Sequence, residues 1–456
     1  MADYRNIAML IGAMALFHAA LAGLVPLVED EAYYALWASV PSAGYYDHPP
    51  MVAWGIAAGQ WLFGKGTFGV RLLSVLSTAL VLYLVFMMGR RIAEARTGLI
   101  AAGLTAVTLP VIGFGYAATP DPFSVLFWTA ATAFVLEATL GERRNFWLAA
   151  GLCAGLGVLS KFTNLFFGVG ILGWLILSRE GRGHLAHWQV WGGAVLGLLV
   201  LVPFALWNID NGWIGLERQF GRIGEAEGFS AARYLLFWLS FVILLTPLIF
   251  IRFIRSLWLP RVPRVLLWLI APILIYLTWH ATKASAGGQW LVPIFPTLAL
   301  MAALVAGRAR WTIGSGLALS VSILIIGFWP TRALIGGHHP FTQTRGWEGV
   351  NDEIALVIEA TGAKWIATDA YGLTGQLAWY QPKGLEVWAL SDLKRYGFRG
   401  ERPKALCKMP ALFISRTNFW NGVPYFVQQQ PLEPIIRKDK AGRVLMTYHL
   451  ALGTGC

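Results

Sequence analysis

Apolar runs of about 17–25 residues recur along most of this chain, the length a helix needs to cross the hydrocarbon layer of a bilayer. Inside that layer a backbone must satisfy its own polar groups, so such runs predict transmembrane helices. Eleven are predicted, over about 7–27, 68–89, 98–114, 122–140, 146–160, 162–178, 189–207, 234–252, 265–280, 290–306 and 312–330, several of them short by the same measure. Composition agrees. The 456 residues are 57% hydrophobic and only 13% charged, where a soluble domain carries about 25% charged residues. The fold class read from this is an all-α polytopic membrane protein.

A net charge of +12 would suit nucleic acid, but placement of the cations decides otherwise. With Arg5 in the cytoplasm, Arg90, Arg91 and Arg96 fall inside, as do Arg143 and Arg144, Arg179 and Arg182, the group from Arg252 to Arg264, and Arg308 with Arg310. The opposite loops hold only Lys65, Lys161, Arg218, Arg222, Arg233 and Lys283. This is the positive-inside pattern of a membrane protein rather than a groove for phosphodiesters. It puts residues 29–50, 119–122, 208–233, Lys161 and Lys283 on the outer side, and an odd number of crossings leaves the segment after Pro330 there too. The first run lacks a small-residue cleavage site, so a retained helix is expected rather than a removed signal peptide.

Two departures from the apolar background follow. In the first outer loop, Ala32 to Val40 and Met51 to Phe63 read as short helices lying in the interface, with Pro49-Pro50 opening the second. Beyond about residue 335 the composition turns mixed, so residues 1–335 are expected to form the membrane domain and 336–456 a small α/β domain. Its expected elements are a helix near 348–361, a strand Trp365 to Thr368, a helix near 372–380, a strand Ala411 to Ser415 and a hairpin near 434–450. Cys407 and Cys456 both lie there and would be free to pair in an oxidising compartment, whereas Cys153 lies in an apolar run.

The chemistry-bearing residues cluster at the outer loops. Glu29, Asp30 and Glu31 stand where the first helix leaves the membrane, beside Tyr33 and Tyr34. Capping and the helix dipole account comfortably for one acid, not for three, so catalytic use of Asp30 with Glu31 in support is expected. Tyr33 and Tyr34, with Tyr46, Asp47 and His48 before Pro49-Pro50, serve either to shape the loop or to contact a sugar. Asp121, between two prolines at a helix mouth, reads equally as a cap and as a catalytic acid. Lys161 either snorkels or meets an anion such as phosphate. Arg218 and Arg222, and more weakly Lys283, suggest an anionic ligand in the outer loops. No phosphate-cradling glycine motif, nucleophile elbow, H-E-x-x-H or C-x-x-C occurs, so nucleotide binding has no support and no cofactor is indicated.

D-E-A-Y-Y at 30–34 with G-Y-Y-D-H-P-P at 44–50 resembles the first outer loop of GT-C membrane glycosyltransferases. The likeness is to the family 39 and 83 type, the protein O-mannosyltransferases and lipid A aminoarabinose transferases. It continues through A-T-P-D-P-F at 118–123, G-V-L-S-K-F-T-N at 157–164, W-N-x-x-N-G-W at 207–213 and G-G-Q-W-L-V-P-I-F-P at 287–296. The resemblance implies transfer of a sugar, with inversion, from a polyprenyl phosphate to an acceptor hydroxyl outside the cytoplasm, on lipid A, lipopolysaccharide or another envelope glycan, with a protein acceptor as the alternative. That places the protein in a bacterial inner membrane with its site facing the periplasm. It also implies that Asp30 is the catalytic acid, Asp121 a second acid, and Lys161 and Arg222 the cations facing the donor phosphate. The lipid A enzymes carry a His three residues before that arginine, implicated with metal. Gln219 stands here instead, so a divalent metal is left without support.

The same features weigh against two other classes. A secondary transporter calls for inverted repeats and charges near the midplane, and neither is seen. A non-catalytic polyprenyl-lipid flippase would leave Asp30 dispensable, which is open to experiment.

Overall fold

The computed structural model describes residues 2–224, 228–328, 342–381, 384–418 and 425–456. Its helices begin with α1 (Ala2–Leu24), α2 (Glu29–Ser39), α3 (Met51–Phe63), α4 (Thr67–Ile92), α5 (Ala95–Ala106), α6 (Leu109–Phe114) and α7 (Pro120–Thr139). Next come α8 (Phe146–Ser160), α9 (Leu165–Leu177), α10 (Arg179–His184), α11 (Trp188–Asp210), α12 (Ile214–Gly224), α13 (Ala231–Leu245) and α14 (Pro247–Ser256). Then follow α15 (Arg264–Ala281), α16 (Phe295–Ala303), α17 (Ala309–Phe328), α18 (Trp347–Thr361), α19 (Tyr371–Tyr380) and α20 (Leu393–Tyr396).

Each predicted span is helical over most of its described residues, although several are divided or short. Among the described residues six helices are long and apolar enough to span, and a bent pair would make a seventh. The 98–114 run divides into α5 and α6 because Pro110 sits at the start of a new helix. The 234–252 run divides into α13 and α14, which meet at 95°. Pro247 has no N–H for the preceding turn and so begins a new helix, and Thr246 at the break lies outside the helical region with φ +77. The pieces at 146–160, 162–177 and 288–303 are shorter apolar helices.

The chain forms two compact units: residues 1–22, 47–55 and 71–326, and residues 23–46, 56–70 and 327–456. The expected boundary near 335 falls outside the described residues. The first unit is a helix bundle whose core runs through residues such as Trp128, Phe167, Phe241, Leu269 and Leu298. Without water to drive helices together, close backbone approach does the work. Gly151 and Gly155 on α8 face Gly193 and Gly197 on α11, where any Cβ would strike the opposite backbone.

The second unit carries the α/β domain. Its sheet comprises β1 (Trp365–Thr368), β2 (Val387–Ala389), β3 (Ala411–Ser415), β4 (Gln428–Lys438) and β5 (Val444–Thr454) in the order β2-β1-β3-β5-β4. β1 is parallel to β2 and β3, while β5 runs antiparallel to β3 and β4. The parallel strands are buried throughout, as strands covered on both faces are. One face sends Ile366, Leu412 and Ile414 against α18 and α19. The other packs Trp365, Phe413 and Phe426 around Leu406. Cys407 and Cys456 form a disulfide with Cα atoms 5.0 Å apart.

Candidate active site

The three acids at the start of α2 have three different fates, all within the second unit. Each gains from the positive end of the helix dipole. Glu31 is buried and its Oε2 accepts from the Val28 backbone N–H at 3.1 Å, closing the first turn. Glu29 is paired with Arg416, Oε1 to Nη2 at 2.6 Å, and its own N–H donates to Gln343 Oε1. Asp30 is exposed, and its Oδ1 accepts from the Tyr371 hydroxyl at 3.1 Å. Burial, and next the charge of Asp30 itself, hold the Tyr371 hydroxyl above its ordinary value. It therefore stays an O–H donor across the physiological range.

α19 lies against α2 because its near face is stripped to glycine. A Cβ on Gly372 would collide with the Glu29 carboxylate, and one on Gly375 would stand 2.8 Å from the Tyr33 nitrogen. Tyr33 and Tyr34, expected to shape the loop or contact a sugar, are both buried. Tyr33 packs edge-on to Trp37, Tyr371 and Tyr396 and donates its hydroxyl to Arg395 O. Tyr45, which the sequence did not single out, stacks flat on Trp37 at 4.3 Å and bonds to the backbone at both Trp37 and Val40. Burial pushes its hydroxyl up to about 12.

In the first unit, Lys161 Nζ lies 2.7 Å from Asp121 Oδ1. Local chain chemistry explains the meeting. α8 ends at Ser160, Lys161 is extended, and a single turn from Phe162 to Asn164 leads into α9. Asn164 is buried and donates to Gly157 O and Ser124 Oγ, tying this break to α7, which bears Asp121 in its first turn. Thr119 takes the capping position of α7 without a side-chain capping bond. Asp121 also faces a largely apolar cavity of about 310 Å³, lined with Thr78, Phe114, Leu244 and Gln289 among others.

Beside this pair, α12 anchors the Asp47 turn. Arg218 Nε stands 3.7 Å from Asp47 Oδ1, and Gln219 Nε2 donates to the Asp47 carbonyl. Phe220 and Phe162 meet at 6.1 Å, so α12 also abuts the Lys161 segment. Asp47 is buried, while Tyr46 and His48 are half-buried. Arg222 lies on α12, but its side chain is outside the described residues. Lys283 is exposed and rests on the Trp279 ring at 4.3 Å. Among the described residues no three His, Cys, Asp or Glu side chains gather as metal ligands would.

The expected residues therefore fall into groups. Asp121 joins Lys161 and Asp47 joins Arg218 in the first unit; Asp30, Glu31, Tyr33 and Tyr34 belong to the second. Sequence reasoning missed Tyr371, Arg416 and Gln343. The nearest signal was the Gly372-Gly375 spacing, which marks a close approach without naming its partner.

Residues 47–207 match the family of dolichyl-phosphate-mannose-protein mannosyltransferases. The chain is 27% identical to the lipid A galacturonosyltransferase of Rhizobium johnstonii, over 76% of each protein. It is 28% identical to the undecaprenyl phosphate-alpha-4-amino-4-deoxy-L-arabinose arabinosyl transferase of Edwardsiella ictaluri, over 82% of this chain and 72% of the relative. Its fold is that of ArnT from Cupriavidus metallidurans bound to undecaprenyl phosphate, with a TM-score of 0.69 and 17% identity over 97% of both chains.

Proposed function

We propose, from the premise that the chain is an integral-membrane glycosyltransferase of the GT-C class, that it moves a sugar from a polyprenyl-phosphate donor to lipid A or a related envelope glycan. The observation that carries the reading is the singling out of Asp30. Of the three acids it alone is exposed, since Glu29 is committed to Arg416 and Glu31 to its own helix start. The named activities of the two relatives supply the donor and acceptor classes.

In this reading Asp30 takes the proton from the acceptor hydroxyl. The freed oxygen bonds to the anomeric carbon as the bond from that carbon to the phosphate oxygen breaks, and the lipid phosphate leaves with the electron pair. Attack opposite the leaving group inverts the anomeric centre. Charge grows on the phosphate, where Lys161 stabilises it. An ammonium has three N–H donors, and Asp121 takes one and aims the rest. Asp121 thus acts as a positioning residue, Asp47 and Arg218 as a brace for the loop, and Arg222 and Lys283 as further cations for the anionic donor.

The experiment is transfer in reconstituted membranes, with a panel of polyprenyl-phosphate sugars offered to lipid A, core glycan and protein acceptors and the products read by mass spectrometry. Transfer to lipid A or glycan is expected; transfer to protein alone would redirect the reading to the protein mannosyltransferase side of the family match. Tyr371→Phe tests the support of Asp30. A hydrogen bond to a carboxylate favours its charged form. Its loss should therefore move the acid limb of the kcat/KM profile to higher pH and lower activity about tenfold at the acid end. A uniform loss at every pH would mean a purely structural role.

The site and the α/β domain face the periplasm in this proposal, and the membrane is the inner one. The arginine pattern and the Cys407–Cys456 disulfide both support that side. Lys440 is exposed in the turn before β5. Lys440→Cys should react with an impermeant maleimide in intact spheroplasts, and labelling only after permeabilisation would reverse the orientation.

A further inference from the structure

We propose that the α/β domain carries a second site, which binds a saccharide bearing a phosphate or carboxylate. The site is a cavity of about 640 Å³ walled by Trp388, Tyr396 and Tyr425, with Arg402 and Lys404 beside the Cys407–Cys456 disulfide. That volume is in the range of small-ligand pockets, about 300–1,000 Å³. Aromatic rings offer apolar surface to the C–H side of a sugar ring; Tyr425 is the half-buried ring here, while Trp388 and Tyr396 are buried in the wall. The cations supply the charge preference.

The charge is unbalanced in a way the fold does not need. Between residues 392 and 408 stand Lys394, Arg395, Arg399, Arg402, Lys404 and Lys408 against the carboxylates of Asp392 and Glu401, the latter at the cavity wall. Two of these cations serve the domain itself: Arg395 lies 4.3 Å over the Tyr371 ring, and Arg399 lies 4.1 Å over Trp388 and donates to Val387 O. Arg402 is half-buried, contacts only the Cys407 sulfur at 3.6 Å and the Trp365 ring at 5.3 Å, and has no carboxylate partner among the described residues. Burial holds its guanidinium below the ordinary value, a cost that a bound anion would offset. Lys404 is exposed at the same wall.

The cavity also touches the support of Asp30. Tyr396 forms its wall, donates its hydroxyl to Tyr371 O at 2.6 Å, and packs on Tyr33 at 5.4 Å. Tyr371 in turn holds Asp30. A ligand seated against Tyr396 therefore bears on the two residues that fix the start of α2, which makes the glycan of the acceptor the natural occupant. That last step rests on the transferase reading; the site itself does not.

Binding is measured on the full-length protein in nanodiscs, by hydrogen–deuterium exchange with glucosamine 6-phosphate, N-acetylglucosamine or inorganic phosphate added. Glucosamine 6-phosphate should slow exchange across residues 388–408, while the neutral sugar and inorganic phosphate should not. Arg402→Gln and the exposed-site Lys404→Gln should each weaken that protection about tenfold, the scale of one charge-assisted contact. No protection, equal protection by inorganic phosphate, or undiminished protection in both variants would overturn the site. A transfer assay on the same variants separates the sources of ligand. A raised acceptor KM with unchanged donor KM identifies the acceptor glycan. An unchanged acceptor KM with lost glucosamine 6-phosphate binding assigns the site to a free sugar phosphate.

Discussion

Asp30→Asn should lower sugar transfer by about a thousandfold, the middle of the range for losing a general base. Asparagine has the shape of aspartate and still accepts a hydrogen bond through Oδ1, so the contact with Tyr371 and the start of α2 are kept. The variant should therefore insert, elute and melt like the parent while turnover vanishes. Glu31→Gln is the control. Glu31 accepts the Val28 backbone N–H inside its own helix turn, and an amide oxygen accepts it nearly as well, so activity should fall by less than about tenfold. A well-folded Asp30→Asn retaining more than about a tenth of parental turnover would remove Asp30 as the base. Equal collapse in the Glu31 variant would shift attention to the helix start as a whole.

Lys161→Ala should reduce kcat/KM for the donor by about 100-fold, as loss of a cation facing a developing phosphate charge does. The effect exceeds simple deletion, because the variant leaves the Asp121 carboxylate facing the donor with no counter-charge. Removing that carboxylate as well should then restore part of the loss, and Asp121→Asn with Lys161→Ala should outperform Lys161→Ala alone. Donor and acceptor saturation curves for the two single variants and the double variant decide the matter. A double variant worse than either single would make Asp121 a direct participant in the chemistry. A defect confined to acceptor KM would take Lys161 away from the donor phosphate.

How much of this was legible in the sequence depends on the range of the interaction. β1 and β3 begin and end at the predicted residues, since short buried apolar runs between turn residues have few other solutions. α3 likewise runs from Met51 to Phe63 as expected. β2 escaped notice because three residues, Val387 to Ala389, are too few to show a period. The breaks at Pro110 and Pro247 were smoothed over by hydropathy read across a span-length window, although each proline marked its break. Lys161 and Asp121 were both singled out, but not as partners. Tyr33 and Tyr34 were read as loop or sugar residues, although their spacing to Trp37 is that of one packed helix face. Tyr371 could not be found at all, because no local pattern encodes a hydroxyl that meets a carboxylate 341 residues away.

That distance has a consequence for the making of the protein. Glu29 and Asp30 emerge early from the ribosome, and the residues that hold them, Tyr371 and Arg416, are made 341 and 387 positions later. Translation at about 5–20 residues per second separates the two events by tens of seconds. Until then the α2 segment lacks the hydroxyl that steadies its exposed acid and the guanidinium that neutralises its neighbour. A chain cut short between Phe328 and Tyr371 would carry the apolar helices and the acid loop without those partners. The two acids thus gain these partners only after most of the polypeptide has been made.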